Sequence, residues 1–323
     1  MEKPPATAVE ASACGKVILL GEHAVVYGRP ALAVPVCGLR AWVRAEPGPP
    51  GSGCWIEARD LGEILRLTTA PADSPLARAV RLALAHLDVP EPDLRLVLWS
   101  ALPIAGGLGS GAAVATALIR AVFRWFGRPT DPAVIAALVY EVEKLHHGTP
   151  SGIDNTVIAY ERPLRFVRGQ APVFFTIARP LPLLIADSGI PSPTRETVAA
   201  VRAGWAAEPA RYETLFDAIA ALVWEAEARL AIGDLEGLGG LLDVNHRLLV
   251  ELGVSAPALD RLVVAARQAG ALGAKLTGGG RGGNIIALVP PERMEAVAQA
   301  LRAAGARAIY RTVVPPTAAA PGG

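Results

Sequence analysis

Four segments of the chain carry residue types whose spacing suits phosphate chemistry. In Leu102–Ala113, LPIAGGLGSGAA, closely spaced glycines lie between a predicted strand and a predicted helix. Such glycines let backbone N–H groups converge at a helix N-terminus, where the dipole also favours negative charge. A ligand-free strand-to-helix turn would use the same residues. Gly15–Gly28, GKVILLGEHAVVYG, sets Lys16 before an apolar strand and the polar pair Glu22 and His23 directly after it. Lys275–Asn284, KLTGGGRGGN, wraps five glycines around Arg281 between two apolar strands, as a flexible hairpin or as a polyphosphate loop charged by Arg281. In Glu143–Asn155, EKLHHGTPSGIDN, Glu143 falls near a helix end, Gly148 reads as the helix stop, and Asp154 follows a turn. Phosphoryl transfer to an alcohol needs one carboxylate to receive the hydroxyl proton and another to hold Mg²⁺, and this segment supplies two. Without that chemistry Glu143 is a solvated helix face and Asp154 an N-cap. His146 and His147 lack a third ligand at metal spacing and read as helix-terminal caps.

Composition narrows the alternatives. Lys+Arg number 31 against Asp+Glu 30, so bulk nucleic-acid binding is not supported. Only four of the 31 basic residues are lysines, Lys3, Lys16, Lys144 and Lys275, which singles out Lys16 as a compact ammonium that arginine would not imitate. Three widely spaced cysteines support neither a disulfide framework nor a zinc site, and no apolar leader precedes Lys16, so the cytosol is the default compartment. The uncharged run 96–119 is interrupted by Gly106, Gly107, Gly109 and Gly111, and reads as strand, loop and buried helix rather than a membrane span. No lysine follows the glycines of Leu102–Ala113, which rules out a P-loop. A Rossmann fingerprint does match at Gly107, Gly109 and Ala112, keeping an NAD(P) oxidoreductase in competition, although a second helix stands where its ribose-binding strand should follow.

Periodicity predicts strands and turns over 16–69, helices at 75–88, 110–126 and 132–147, and strands at LRLVLWS, PLRFV, PVFFTIA and LPLLIADSG. Helices dominate 193–270 with caps at Pro193, Asp234 and Ser255; then come strands AKLT and NIIALV, a helix near 291–304 and the strand ARAIYRTVV. Runs of strands and helices, not strict alternation, give an α+β fold. With 323 residues the chain holds two domains, 1–180 and 181–323, and ends in a frayed PPTAAAPGG tail.

Taken in order, GKVILLGEHAVVYG, PIAGGLGSGAA, HGTPSGIDN and KLTGGGRGGN resemble the GHMP kinase superfamily over about residues 13–290, its mevalonate kinase branch most closely. The resemblance implies two α+β domains with the active site in the cleft between them, often as a homodimer without membrane or nucleic-acid partners. It implies ATP- and Mg²⁺-dependent phosphorylation of the primary hydroxyl of mevalonate, an early step of isoprenoid synthesis. Asp154 and Lys16 would be catalytic. Pro103, Gly106, Gly107, Leu108, Gly109, Ser110, Gly111 and Ala112 would hold the ATP phosphates. Glu22, His23, Thr194 and Gly279 would face mevalonate, and Glu143 with Ser110 would hold the metal. The chain departs from the family pattern at Gly111, where a second serine is common, at Arg281 inside the third motif, and at Ser192, where an arginine is sometimes found. Another kinase of this superfamily, acting on phosphomevalonate or a sugar, and a catalytically silent sensor of the same fold remain as competitors. Intact Lys16, Glu143 and Asp154 speak against the sensor.

Overall fold

The computed structural model describes residues 7–103, 106–147 and 150–317. The expected helix stop at Gly148 and the last residues of the frayed tail lie outside the described residues. Contacts group the chain into two units that interleave: residues 1–15, 39–104 and 109–161 form one, and 16–38, 105–108 and 162–323 the other. Strands β1 (Val9–Leu20) and β2 (Ala31–Pro47) pair with each other, and each contributes residues to both units.

In the first unit the elements that follow are β3 (Cys54–Ala58), β4 (Glu63–Arg66), α1 (Pro75–Leu87), β5 (Leu94–Ser100), α2 (Ser110–Trp125), α3 (Pro132–His147) and α4 (Ile153–Tyr160). Strand β5 pairs antiparallel with β2 and parallel with β3, which pairs antiparallel with β4. Alternation decides the faces. Cys54, Ile56 and Ala58 turn inward, while directly opposed Trp42 and Trp99 stack with their ring centroids 6.3 Å apart. Alanine-rich α2 is buried on almost every side and packs against α1, α3 and α4. The run 96–119 is therefore strand, loop and buried helix, and no helix among the described residues is long and apolar enough to cross a membrane. Because α3 and not a strand follows α2, the Rossmann competitor fails on topology.

The second unit adds β6 (Leu164–Phe166), β7 (Val173–Phe174), β8 (Leu181–Asp187), α5 (Thr194–Ala207), α6 (Pro209–Ile232), α7 (Leu235–Glu251), α8 (Pro257–Gln268), β9 (Gly273–Thr277), β10 (Asn284–Leu288), α9 (Met294–Ala303) and β11 (Ala308–Val314). Its four-stranded antiparallel sheet runs β11-β8-β10-β9. One face, with Leu184, Ala186, Ala274, Leu276, Ile285 and Ala287, packs into the helical core around Phe216, Leu259 and Leu301. The two-residue period then sends Lys275, Thr277, Asn284 and Asp187 to the opposite face, where Asn284 lies in register between Thr277 and Asp187. Helix α7 covers the outer edge of β9. Its Asp243 carboxylate accepts the Ala274 N–H at 2.9 Å and its His246 Nδ1 the Leu276 N–H at 3.4 Å, leaving no open edge there.

That seating uses two adjacent glycines differently. A Cβ on Gly239 would sit 2.3 Å from the Leu272 carbonyl oxygen, while one on Gly240 meets nothing within 4 Å. Gly239→Ala should destabilise the protein by about 1–3 kcal/mol, and Gly240→Ala should stabilise it by about 0.5–1 kcal/mol through reduced unfolded-state entropy. Urea unfolding of both variants checks this, and equal effects would contradict the seating of α7 on β9.

Candidate active site

The first glycine-bearing motif is shaped by its backbone. Gly21 has φ 106°, and a Cβ there would lie 2.5 Å from Ala31 Cα, so glycine is required where the chain leaves β1. The turn that follows, 24–27, is held by Tyr27 stacked on Phe216 of α6 at 4.3 Å between ring centroids. Arg29 continues the attachment through Asp217 at 2.8 Å and through Glu213. These anchors fix Lys16, Glu22 and His23 relative to the polar face of the β9–β10 hairpin. Lys16 is no solvated strand-start charge. It is 2 % exposed, its Nζ donates to the Gly107 carbonyl at 3.0 Å, and its backbone N–H donates to Leu108 O at 3.0 Å.

Glu22 is 1 % exposed and both its carboxylate oxygens are engaged: Oε1 pairs with Lys275 Nζ and Oε2 accepts from Asn245 Nδ2 at 3.3 Å. Lys275 also donates to Leu276 O at 2.6 Å, and burial, against the pull of Glu22, lowers its pKa. A buried ion pair is tolerable because further hydrogen bonds satisfy both charges. The next residue, His23, adopts φ 63° and its Nε2 lies 3.1 Å from the Gly279 carbonyl, which fixes Nε2–H as the donor. Thr194, the first residue of α5, crowds the same glycine, since a Cβ on Gly279 would fall 2.5 Å from Thr194 Oγ1. All four residues expected to face the substrate thus gather in one unit. Ser192 Oγ donates to Gly280 O at 2.9 Å and braces the hairpin loop. Arg281 is exposed, with its Nε 3.3 Å from Gly253 O, so its side chain covers the loop from the α7–α8 connection.

Gly106–Leu108 belong to the same unit, whereas Ser110, Glu143 and Asp154 belong to the first. Ser110 opens α2, and Glu143 on α3 is 6 % exposed, with Oε1 3.3 Å from where a Cβ on Gly111 would sit. A solvated helix face is therefore excluded for Glu143. Asp154 is not an N-cap: Gly152 is the cap of α4, and Asp154 occupies the first turn, where the helix dipole favours a carboxylate. The predicted cap at Asp234 does accept from Gly237 N at 2.8 Å, whereas α8 begins after Ala256 and Ser255 Oγ donates to Asp260 at 2.5 Å. No group of three His, Cys, Asp or Glu able to hold a metal occurs among the described residues. A buried carboxylate close to the first turn of α2 still suits Mg²⁺, which takes one or two protein oxygens and completes its shell with phosphate and water. His146 and His147 carry side chains outside the described residues.

Asn245, Asn284 and Lys275 were not picked out as site residues from sequence. A signal existed: the chain has three asparagines, and all three, Asn155, Asn245 and Asn284, are buried. Lys275 carried the same scarcity signal as Lys16.

Residues 75–162 match the family described as GHMP kinases N terminal domain, and residues 215–307 match GHMP kinases C terminal. The chain belongs to the GHMP kinase family. Within it, the chain is 38 % identical over 325 residues to the mevalonate kinase of Thermococcus sibiricus, covering 94 % of this chain and 96 % of that protein. It is 40 % identical over 318 residues to the mevalonate kinase of Pyrococcus horikoshii, covering 92 % and 93 % of the two. The crystal structure of L. major mevalonate kinase in complex with R-mevalonate superposes with a TM-score of 0.85 at 30 % identity, covering 99 % of this chain and all of that one.

Two buried histidines give the fold a pH signature. Burial pushes His23 down to about 4, helped by Lys275 and Arg281 and opposed by its bond to Gly279. Burial pushes His246 to about 4 as well, against the attraction of Asp260, whose carboxylate lies 3.2 Å from Nε2. Between pH 6.5 and 4 the unfolded chain binds the proton that the folded chain refuses. Stability is therefore complete above about 6.5 and falls with acidification, by up to about 1.4 kcal/mol per pH unit for each histidine. Urea titrations at pH 5–7, above most carboxylate titration, should show this slope, and His246→Gln should roughly halve it; an unchanged slope would contradict burial of a neutral His246.

Proposed function

We propose that this chain transfers the γ-phosphoryl group of ATP to the primary hydroxyl of mevalonate, in the cytoplasm. The observation that carries the reading is likeness to mevalonate kinases along nearly the whole chain, 94 % of it in the case of T. sibiricus, with Lys16, Glu143 and Asp154 present. Phosphomevalonate kinase of Streptococcus pneumoniae and galactokinase of Lactococcus lactis share the fold at only 16 % and 17 % identity, which favours mevalonate over their substrates.

In this reading Gly106–Ala112 receives the ATP phosphates on backbone N–H groups and on the start of α2. Glu143 and Ser110 are the residues that would hold Mg²⁺, which when bound neutralises charge on the phosphate oxygens. Asp154 receives or orients the proton of the attacking hydroxyl. Lys16 presents its ammonium to the charge that develops on the hydroxyl oxygen and the transferred phosphoryl group. His23, Thr194 and Gly279 form the wall that the polar end of mevalonate meets. Glu22 has both carboxylate oxygens engaged, and its backbone carbonyl accepts the Ala24 N–H at 2.7 Å across the tight turn at His23.

Purified protein should release ADP with mevalonate and not with phosphomevalonate or galactose; release with one of those instead would replace the substrate. Asp154→Asn should leave ATP binding intact and lower turnover by roughly 10²- to 10⁴-fold. Unchanged kcat would remove Asp154 from the mechanism. Glu143→Gln should raise the Mg²⁺ concentration needed for half-maximal rate, and superimposable Mg²⁺ titrations would leave Glu143 without a metal role.

A further inference from the structure

The loop Gly106–Leu108 turns three consecutive carbonyls onto donors from two strands. Gly106 O accepts from Asn284 Nδ2 at the start of β10, Gly107 O from Lys16 Nζ at 3.0 Å, and Leu108 O from the Lys16 backbone N–H at 3.0 Å. In a trans peptide the C=O and the following N–H point in opposite directions. Fixing these carbonyls therefore fixes the N–H groups of Gly107, Leu108 and Gly109 on the other side of the loop. Phosphate is bound by converging N–H groups and repelled by carbonyl oxygens. A loop with its carbonyls pinned is set for phosphate before the nucleotide arrives.

The pinning occurs where two glycine loops touch backbone to backbone. A Cβ on Gly107 would lie 3.2 Å from Thr277 O, one on Gly278 3.1 Å from Gly107 Cα, and one on Gly283 3.4 Å from Gly106 O. Asn284 stands at this junction, fully buried, with Thr277 and Asp187 as its cross-strand neighbours. Its Oδ1 is buried without a hydrogen-bond partner among the described residues. An orphaned acceptor is a cost that an apolar residue in the same place would not incur, so packing alone does not account for an amide here.

We propose that Asn284 is a positioning residue for the nucleotide: its amide N–H holds the Gly106 carbonyl away from the phosphates so that the loop presents only donors. The proposal rests on reading Gly106–Ala112 as the ATP phosphate loop. Calorimetric titration with AMPPNP and steady-state kinetics on Asn284→Ala and Asn284→Asp test it. Aspartate keeps the shape and removes the donor, so it separates the hydrogen bond from packing. For both variants the AMPPNP Kd and the KM for ATP should rise about tenfold, the worth of one hydrogen bond, while the KM for mevalonate stays within about twofold. Parent-like AMPPNP affinity in Asn284→Asp, or equal rises in both KM values together with a lowered Tm, would overturn the proposal alone. Failure of the parent protein to bind AMPPNP would overturn the phosphate-loop reading and the proposal with it. Nucleotide binding by the parent without turnover of mevalonate would overturn only the substrate assignment, and the AMPPNP affinities of the variants would still decide the role of Asn284.

Discussion

The burial of Lys16 is the interaction on which the rest of the site depends. An ammonium removed from water is tolerated only where oxygens replace the solvent, and here the Gly107 carbonyl is one of them. The same residue donates its backbone N–H to Leu108 O, so one position on β1 ties down a loop more than ninety residues away in sequence. Its consequences run along the strand. Five residues on, just past the end of β1, Gly21 enters a turn that only glycine can enter at φ 106°, and the turn is locked by Tyr27 against Phe216. Lysine 16, the Gly106–Leu108 loop and the Glu22–His23 pair are thereby set by one strand and one anchored turn.

The second charged contact, Glu22 with Lys275, follows from the sheet. A period of two places Lys275 on the face of β9 turned away from the helical core, where only another buried charge can neutralise it. Asn245 on α7 completes the set by donating to the other carboxylate oxygen. The same helix shields the edge of β9 through Asp243 and His246, so edge protection and charge placement are carried by one amphipathic element.

Much of this was legible in the sequence, for identifiable reasons. Helices α1, α2 and α3 begin and end within a residue or so of their periodic patterns because Pro and Gly punctuate them. The β9–β10 hairpin was legible from two apolar runs around a glycine loop. Helix α4 was not, since GTPSGIDN reads as a turn and a helix of eight residues owes its stability to packing rather than propensity. The parallel pairing of β3 with β5 was hidden because strand order is a tertiary property. In the site, Lys16 and Glu143 stood out by type and position. Glu22 was legible as a site residue but not as one whose carboxylate is saturated, because Asn245 and Lys275 lie more than 220 residues away in the chain.

Exchange of Lys16 tests the account most directly, by kcat and nucleotide affinity measured side by side. If the ammonium both pins Gly107 and meets the developing charge, Lys16→Met should lower kcat by on the order of 10²–10³, as does loss of a donor to a charged transition state. Lys16→Arg keeps the charge but spreads it over a planar group too large for the same pocket, and should recover only part of that loss. Parent-like turnover in Lys16→Met would contradict the account, because the buried charge within β1 would then have no part in the reaction.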